Sequence, residues 1–338
     1  MKRMGEFMRK YAVGAWIFGK TGDRFVLEGY KDSVPVIQRI GLAATVPGVQ
    51  GVELNYPADI TDENLSSVSG ALGDHGLKVA AVGLDVSCGR SWQAGAFAAK
   101  DAATRRRAVD LGKKAMDVAA SLGCQAVNFW LGQDGYDYSF QADYLGSWNH
   151  LVKGVKECAD HAPGIRLCLE YKPKEPRTHS FLGTACKALA VAQEAGKDNI
   201  GVTIDVGHAL AAYENPAESA VLLSRQGRLF HMHFNDNYRL WDDDMIVGSV
   251  HFVEYLELIY WLDRVGYSGW YSLDVFPYRE DPGAVCTESI AYLEALSLLI
   301  DRIGKATIGE FIERGDVPGV LRLLREHTLP RVPAGGAR

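Results

Sequence analysis

The chain has 338 residues, 47% hydrophobic and 23% charged, an ordinary globular composition that excludes disorder or fibrous structure as an overall description. A net charge of −6 gives no long-range attraction for nucleic acid or for an anionic membrane, so neither is expected as a partner. No apolar run reaches about 18 residues, the length a membrane span needs. The basic start MKRMGEFMRK is followed by no apolar stretch of the secretory kind. Cys88, Cys124, Cys158, Cys168, Cys186 and Cys286 are scattered with no CxxC pair, which reads as reduced thiols in a cytoplasmic protein.

In chain order, short apolar runs rich in β-branched and aromatic residues predict strands at 11–19, 49–57, 77–86, 125–132, 165–172, 200–208, 228–236 and 269–277. Amphipathic stretches lie between them, among them helices at 104–123 and 287–305. Strands alternating with helices predict a parallel sheet with helical crossovers, and these units fit an α/β fold of the (β/α)8 TIM barrel type. A doubly wound open sheet is the alternative. It normally carries a glycine-rich phosphate loop after its first strand, and GAWIFGKTGDRF has neither G-x-G-x-x-G nor the Walker pattern. One catalytic barrel over 1–305 and a C-terminal extension over 306–338 are expected. The extension is read as partly helical, with one helical stretch in GEFIERGDVPGVLRLLREH, a frayed end PRVPAGGAR and an oligomer contact as its candidate role.

Catalytic groups in such barrels come from the C-terminal ends of several strands. The fifth strand ends in Glu170-Tyr171-Lys172, the sixth in Asp205 and His208, the seventh in His231 and His233, and the eighth in Asp274. Side chains alternate along a strand, so His231 and His233 share a face, with His233 nearer the end and His231 expected in the layer beneath. One Asp after a strand is usually a helix cap. Several charges converging in a barrel mouth repel unless a cation neutralises them. Glu170, Asp205, His233 and Asp274 form an oxygen and nitrogen set suited to Mn²⁺, Mg²⁺, Co²⁺ or Zn²⁺. Asp242-Asp243-Asp244 follows the seventh strand and reads either as a solvated turn or as part of a second cation site. In an extended segment Asp242 and Asp244 point the same way and join His208. Lys172 has no lone pair to give. It either donates to a polarised carbonyl or alkoxide oxygen or forms a structural salt bridge. Trp130, Trp16 and Phe18 end strands and read as pocket walls for the apolar face of a sugar or as core; Arg239, Tyr278 and Arg279 are weaker candidates for hydroxyl contacts.

The segment Glu170-Tyr171-Lys172-Pro173-Lys174-Glu175-Pro176-Arg177 resembles the Glu-x-Lys-Pro-x-Glu-Pro-Arg signature of xylose isomerases. HFNDNYRLWDDDMIVGS, from His233, is similar to the equivalent stretch of L-rhamnose isomerases, and TIDVGH to the strand-six Asp-x-x-His of the same group. The whole resembles the xylose-isomerase-like barrel superfamily, with the rhamnose isomerase branch nearest. The resemblance implies that Glu170, Asp205, His233 and Asp274 hold a structural metal and that His208, Asp242 and Asp244 hold a catalytic one, with Asp205 as a candidate bridge. It implies two divalent ions, Mn²⁺ first, Lys172 at the oxygen on C1 or C2, and a monosaccharide substrate. The implied reaction is aldose–ketose interconversion in a homo-oligomer, a dimer or tetramer.

The pattern also departs from that family. Xylose isomerases carry a His–Asp pair near the early strands that helps open the sugar ring. Here GLDVSCGRSW supplies Asp85 but no histidine, and His75 precedes its strand. A ketose 3-epimerase of the same superfamily is the nearest rival; those barrels use one metal and a glutamate on strand eight, where this chain has Asp274. A dehydratase of the group is a further alternative. A related DNA-repair barrel needs histidines that LNYPAD, GLDVSC and DDD lack, and a non-catalytic sugar sensor gains nothing from a double metal set.

Overall fold

The computed structural model describes residues 9–330. Eight parallel strands close into a barrel: β1 Lys10–Gly14, β2 Val49–Tyr56, β3 Lys78–Leu84, β4 Ala126–Trp130, β5 Arg166–Glu170, β6 Ile200–Asp205, β7 Leu229–Phe234 and β8 Trp270–Leu273. Each pairs with its neighbour in sequence, and β1 meets β8 with Lys10 opposite Trp270 and Val13 opposite Leu273. Parallel strands are covered on both faces, which is why they read as continuous apolar runs and not as alternation; all of β6 is buried. The chain is therefore a (β/α)8 TIM barrel.

The surrounding helices are α1 Val36–Ala44, α2 Leu65–His75, α3 Ala102–Ser121, α4 Tyr144–His161, α5 Ala185–Ala195, a short α6 Val206–Ala211, α7 Pro216–Arg225, α8 Phe252–Arg264 and α9 Pro282–Ile303. Their starts are written in the sequence. Asp101, Asp143, Thr184, Asn215 and Asp281 each accept a first-turn backbone N–H, and a proline opens α7 and α9. By length and composition α9 could cross a membrane, but half of its apolar window is buried inside the fold.

Three expectations are corrected. The predicted first strand stops at Gly14, and Ala15–Phe18, which includes Trp16 and Phe18, forms a 3-10 turn. The predicted sixth strand stops at Asp205, whose carboxylate accepts from the His208 backbone N–H and starts α6, so His208 sits on a helix. The tail holds two helices, α10 Lys305–Arg314 and α11 Val317–Thr328, because Gly315 takes a left-handed conformation (φ 62°) and Asp316 caps the next helix. Of the segment read as frayed, Arg331–Arg338 lies outside the described residues. Loops after β4 and β5 pair as a small antiparallel ribbon of Gly135–Tyr136, Lys174–Glu175 and Thr178–Ser180.

Candidate metal centre at the barrel mouth

Strand register brings four ligand-type residues to one level. His233 lies opposite Asp205 across β6 and β7, Glu170 ends β5 opposite Thr203 of β6, and Asp274 follows β8. The Nδ1 atom of His233 lies 3.4 Å from Glu170 Oε1, 3.5 Å from Asp274 Oδ2 and 4.0 Å from Asp205 Oδ2, yet it has no hydrogen-bond partner among the described residues. One donor atom from each of Glu170, Asp205, His233 and Asp274 falls within 4.8 Å of the others. Three carboxylates and an imidazole converging on one point, with a buried nitrogen that has no hydrogen-bond partner among the described residues, are a donor set that suits a divalent cation.

A second group adjoins it. Donor atoms of Asp205, His208 and Asp242 also fall within 4.8 Å of one another, so Asp205 belongs to both groups. His208 Nε2 is 3.1 Å from Asp242 Oδ2; His208 Nδ1, 3.3 Å from Glu170 Oε1, and Asp242 Oδ1 are buried with no hydrogen-bond partner among the described residues. The sequence grouped Asp244 with His208 and Asp242. The structure puts Asp205 in that group, while Asp244, at φ 47°, accepts a 2.9 Å hydrogen bond from Asn235 Nδ2. Asp244 nonetheless stays in the same electrostatic cluster, since Asp242, Asp274 and Asp205 all act on its carboxyl.

The electrostatics match a cluster with too many acids. Burial, then repulsion from Asp242 and Glu170, pushes Asp205 up to about 6. Burial with repulsion from Asp205 and Glu170 pushes Asp274 up to about 7. Burial and the neighbouring Asp242 push Asp244 well above the carboxylate range. Burial disfavours the charged form of His208, but Asp205 and Asp242 outweigh it and hold the imidazole at about 9. Asp242 moves the other way: burial is overcome by His208 and Lys172, and its carboxyl falls below the usual range.

Lys172 is buried and committed. Its Nζ lies 2.7 Å from Asp242 Oδ2, bonds Glu175, and stands 5.2 Å above the Trp130 ring. Burial works against the ammonium, yet Asp242 and Glu175 keep it charged. The indole N–H of Trp130 is buried with no partner among the described residues, whereas Trp16 donates to Asp274 Oδ1 at 2.7 Å. Phe18 packs in the hydrophobic core. Arg239 pairs with Glu254 at 3.1 Å, and Arg279 stacks on Tyr30 in the loops above the barrel, with Tyr278 edge-on to that ring. His75 ends α2, just before β3, and so sits at the opposite end of the barrel.

Sequence reasoning missed the groups that hold these ligand-type residues in place. Asn235 donates to Asp205 Oδ2 and to Asp244 Oδ1, both at 2.9 Å, and accepts from the Gly207 N–H at 2.8 Å. A Cβ at Gly207 would lie 2.5 Å from Asn235 Oδ1, so only glycine allows this approach. Asn128 bonds Glu170 Oε2 and accepts from Thr203 at 2.7 Å. Glu53, inside β2, bonds both His231 and His233. A charged or amide side chain at an inward position of an otherwise apolar strand was the available signal for Glu53 and Asn128.

A family profile described as a xylose isomerase-like TIM barrel matches residues 40–296. The curated relatives include the xylose isomerase of Thermus thermophilus, 24% identical over 286 residues spanning 80% of this chain and 74% of that protein. The xylose isomerase of Thermus caldophilus is 23% identical over the same shares. Among solved structures, an L-ribulose 3-epimerase superposes with a TM-score of 0.66 at 18% identity, covering 88% of this chain and 98% of that one. A D-allulose 3-epimerase from Methylomonas sp. gives 0.67 at 18% identity over 85% and 96% of the two chains. These superpositions agree with the barrel described above. The profile match extends over most of the chain, which thus belongs to the xylose isomerase-like TIM barrel family.

Proposed function

We propose that the protein is a divalent-metal-dependent enzyme that interconverts a free aldose and its 2-ketose by moving hydrogen between C1 and C2, most like an L-rhamnose isomerase. The observation that carries this reading is Asp205, shared by two adjoining ligand groups, Glu170/Asp205/His233/Asp274 and Asp205/His208/Asp242. The residues fit two divalent ions, Mn²⁺ first among Mg²⁺, Co²⁺ and Zn²⁺: oxygen and imidazole donors, one shared carboxylate, and buried atoms on His208, His233 and Asp242 with no hydrogen-bond partner among the described residues. Bound there, the cations would supply Lewis acidity at adjacent sugar oxygens.

The chain's own groups do the rest. Lys172, charged and fixed beside Asp242, can donate a hydrogen bond to an oxygen on C1 or C2 as negative charge builds there. Trp130 presents an N–H with no partner among the described residues, and Trp16, through Asp274, ties the mouth of β1 to the ligand set. Burial and the neighbouring Asp242, Asp274 and Asp205 favour the neutral form of the Asp244 carboxyl, which makes it a candidate proton carrier beside the sugar.

A 3-epimerase is the second reading. It is favoured by size, since the chain covers 98% of an L-ribulose 3-epimerase against 74% of the xylose isomerases. The test is to strip the protein with a chelator, restore Mn²⁺, and follow a panel of aldoses and ketoses by NMR in D₂O. The panel runs through rhamnose, ribose, lyxose, mannose, allose, allulose and tagatose. Metal-dependent aldose–ketose conversion is expected. Exchange at C3 with no aldose formed would make the protein an epimerase, and no turnover of any sugar would remove both readings.

A further inference from the structure

Glu53 is buried in the middle of β2, far in sequence from every ligand-type residue, and the proposed chemistry leaves it without a task. Its two oxygens face two imidazoles of one strand. His231 and His233 alternate along β7 and project the same way, with ring centroids 5.2 Å apart at 82°. His231 Nε2 is 2.7 Å from Glu53 Oε1, and His233 Nε2 is 3.2 Å from Glu53 Oε2. An ionised carboxylate only accepts, so both Nε2 atoms donate. A neutral imidazole carries one N–H. With that proton on Nε2, the lone pair of His233 lies on Nδ1, the atom left unpaired among Glu170, Asp205 and Asp274.

We infer that Glu53 is a positioning residue that fixes His233 in its Nε2–H form and so aims Nδ1 at the cation position. The inference rests on the metal reading proposed above. A carboxylate holding the far nitrogen of a ligand histidine sets both ring orientation and donor strength. His231 occupies the other oxygen, which keeps the Glu53 carboxylate from turning away.

The test uses the full chain stripped of metal and titrated with Co²⁺, read by its visible absorption, with apo-protein melting by circular dichroism as a fold control. In Glu53→Gln the amide has one accepting oxygen for two donating rings, and Co²⁺ affinity is expected to fall about 10- to 100-fold. In His231→Gln an amide N–H replaces the lost donor, the Glu53–His233 bond stays, and affinity is expected close to the wild type. Co²⁺ binding by Glu53→Gln equal to the wild type would overturn the inference, and so would equal weakening in both variants. Absence of Co²⁺ uptake by the wild type would remove the metal reading and this inference with it. A second measurement needs no variant to fold: ¹⁵N spectra of the histidine rings in the Zn²⁺-loaded wild type. They are expected to show the His233 proton on Nε2 and the cation on Nδ1. The cation on Nε2 would contradict the assignment.

Discussion

Asn235 ties three parts of the barrel mouth together. One amide holds Asp205, Asp244 and the first turn of α6 through Gly207. Replacing Asn235 with Ala removes all three bonds, so Asp244 loses its amide donor and Asp205 keeps, among the described residues, only the His208 backbone N–H. Partners of metal ligands are worth about 10- to 100-fold in affinity or activity, so a loss of that size in Mn²⁺ affinity is expected by calorimetric titration. Unchanged affinity would show that the ligands hold themselves. Among the ligand-type residues, Glu170, Asp205, His233 and Asp274 were legible because a charged group at the end of an apolar run is unusual. Asn235 was not legible, because an amide in a loop has no diagnostic spacing and its value depends on what lies across the barrel; for Asn128 the one sign was an amide inside an apolar strand. Phe18 shows the converse: an aromatic near a strand end looks the same in sequence whether it lines a pocket or packs, and here it packs.

The loop after β7 carries Asp242 and Asp244 and is shaped by one buried acid at its base. Asp236 accepts the backbone N–H of Asn237, Val250 and His251 and the His251 Nδ1 at 2.7 Å, and its backbone pairs with Met245. Asp236→Asn offers one accepting oxygen in place of two. The barrel is expected to stay folded, with a stability loss of about 1–3 kcal/mol for buried donors left unpaired. Amides of 237–249 are expected to exchange faster with deuterium while β6 and β7 keep their protection; unchanged exchange in that segment would contradict the clasp. Elements were legible as far as periodicity reaches. The TIDVGH run continues an apolar pattern through His208, and only the Asp205 cap, a three-dimensional fact, ends the strand and starts α6. The tail was read as a single helix for the same reason, since its apolar period survives across the left-handed Gly315.

Closure of the barrel is what gathers the site. β1 on β8 and β6 on β7 set the register that brings residues 53, 170, 205, 233 and 274 together, and no local pattern in the sequence encodes those distances. The order of eight strands and their helices was legible, because each unit is local. The gathered acids also couple stability to metal and pH. Asp205 and Asp274 hold protons up to about 6 and about 7 in the metal-free fold, above the ordinary 3.8, and His208 up to about 9, above 6.5. A proton held more tightly folded than unfolded stabilises the fold below the unfolded value, and that contribution is lost as pH rises through the folded value. The metal-free protein therefore loses stability from these groups between about pH 4 and pH 9, while a cation that must displace the same protons binds more tightly over that range. At a concentration 100 times its Kd a bound ion adds about 2.7 kcal/mol. Calorimetry is expected to show the gap in Tm between Mn²⁺-loaded and stripped protein widening from about pH 5.5 to about pH 8. A constant gap would mean that the three groups do not meet the ion.

The central claim is that two cation positions share Asp205, and anomalous diffraction from crystals soaked in Mn²⁺ tests it most directly. Two peaks are expected, one among Glu170, Asp205, His233 and Asp274 and one beside His208 and Asp242, with the second lost in Asp242→Ala. A single peak at the first position in crystals saturated with Mn²⁺ would contradict the two-metal isomerase and leave the one-metal epimerase in its place.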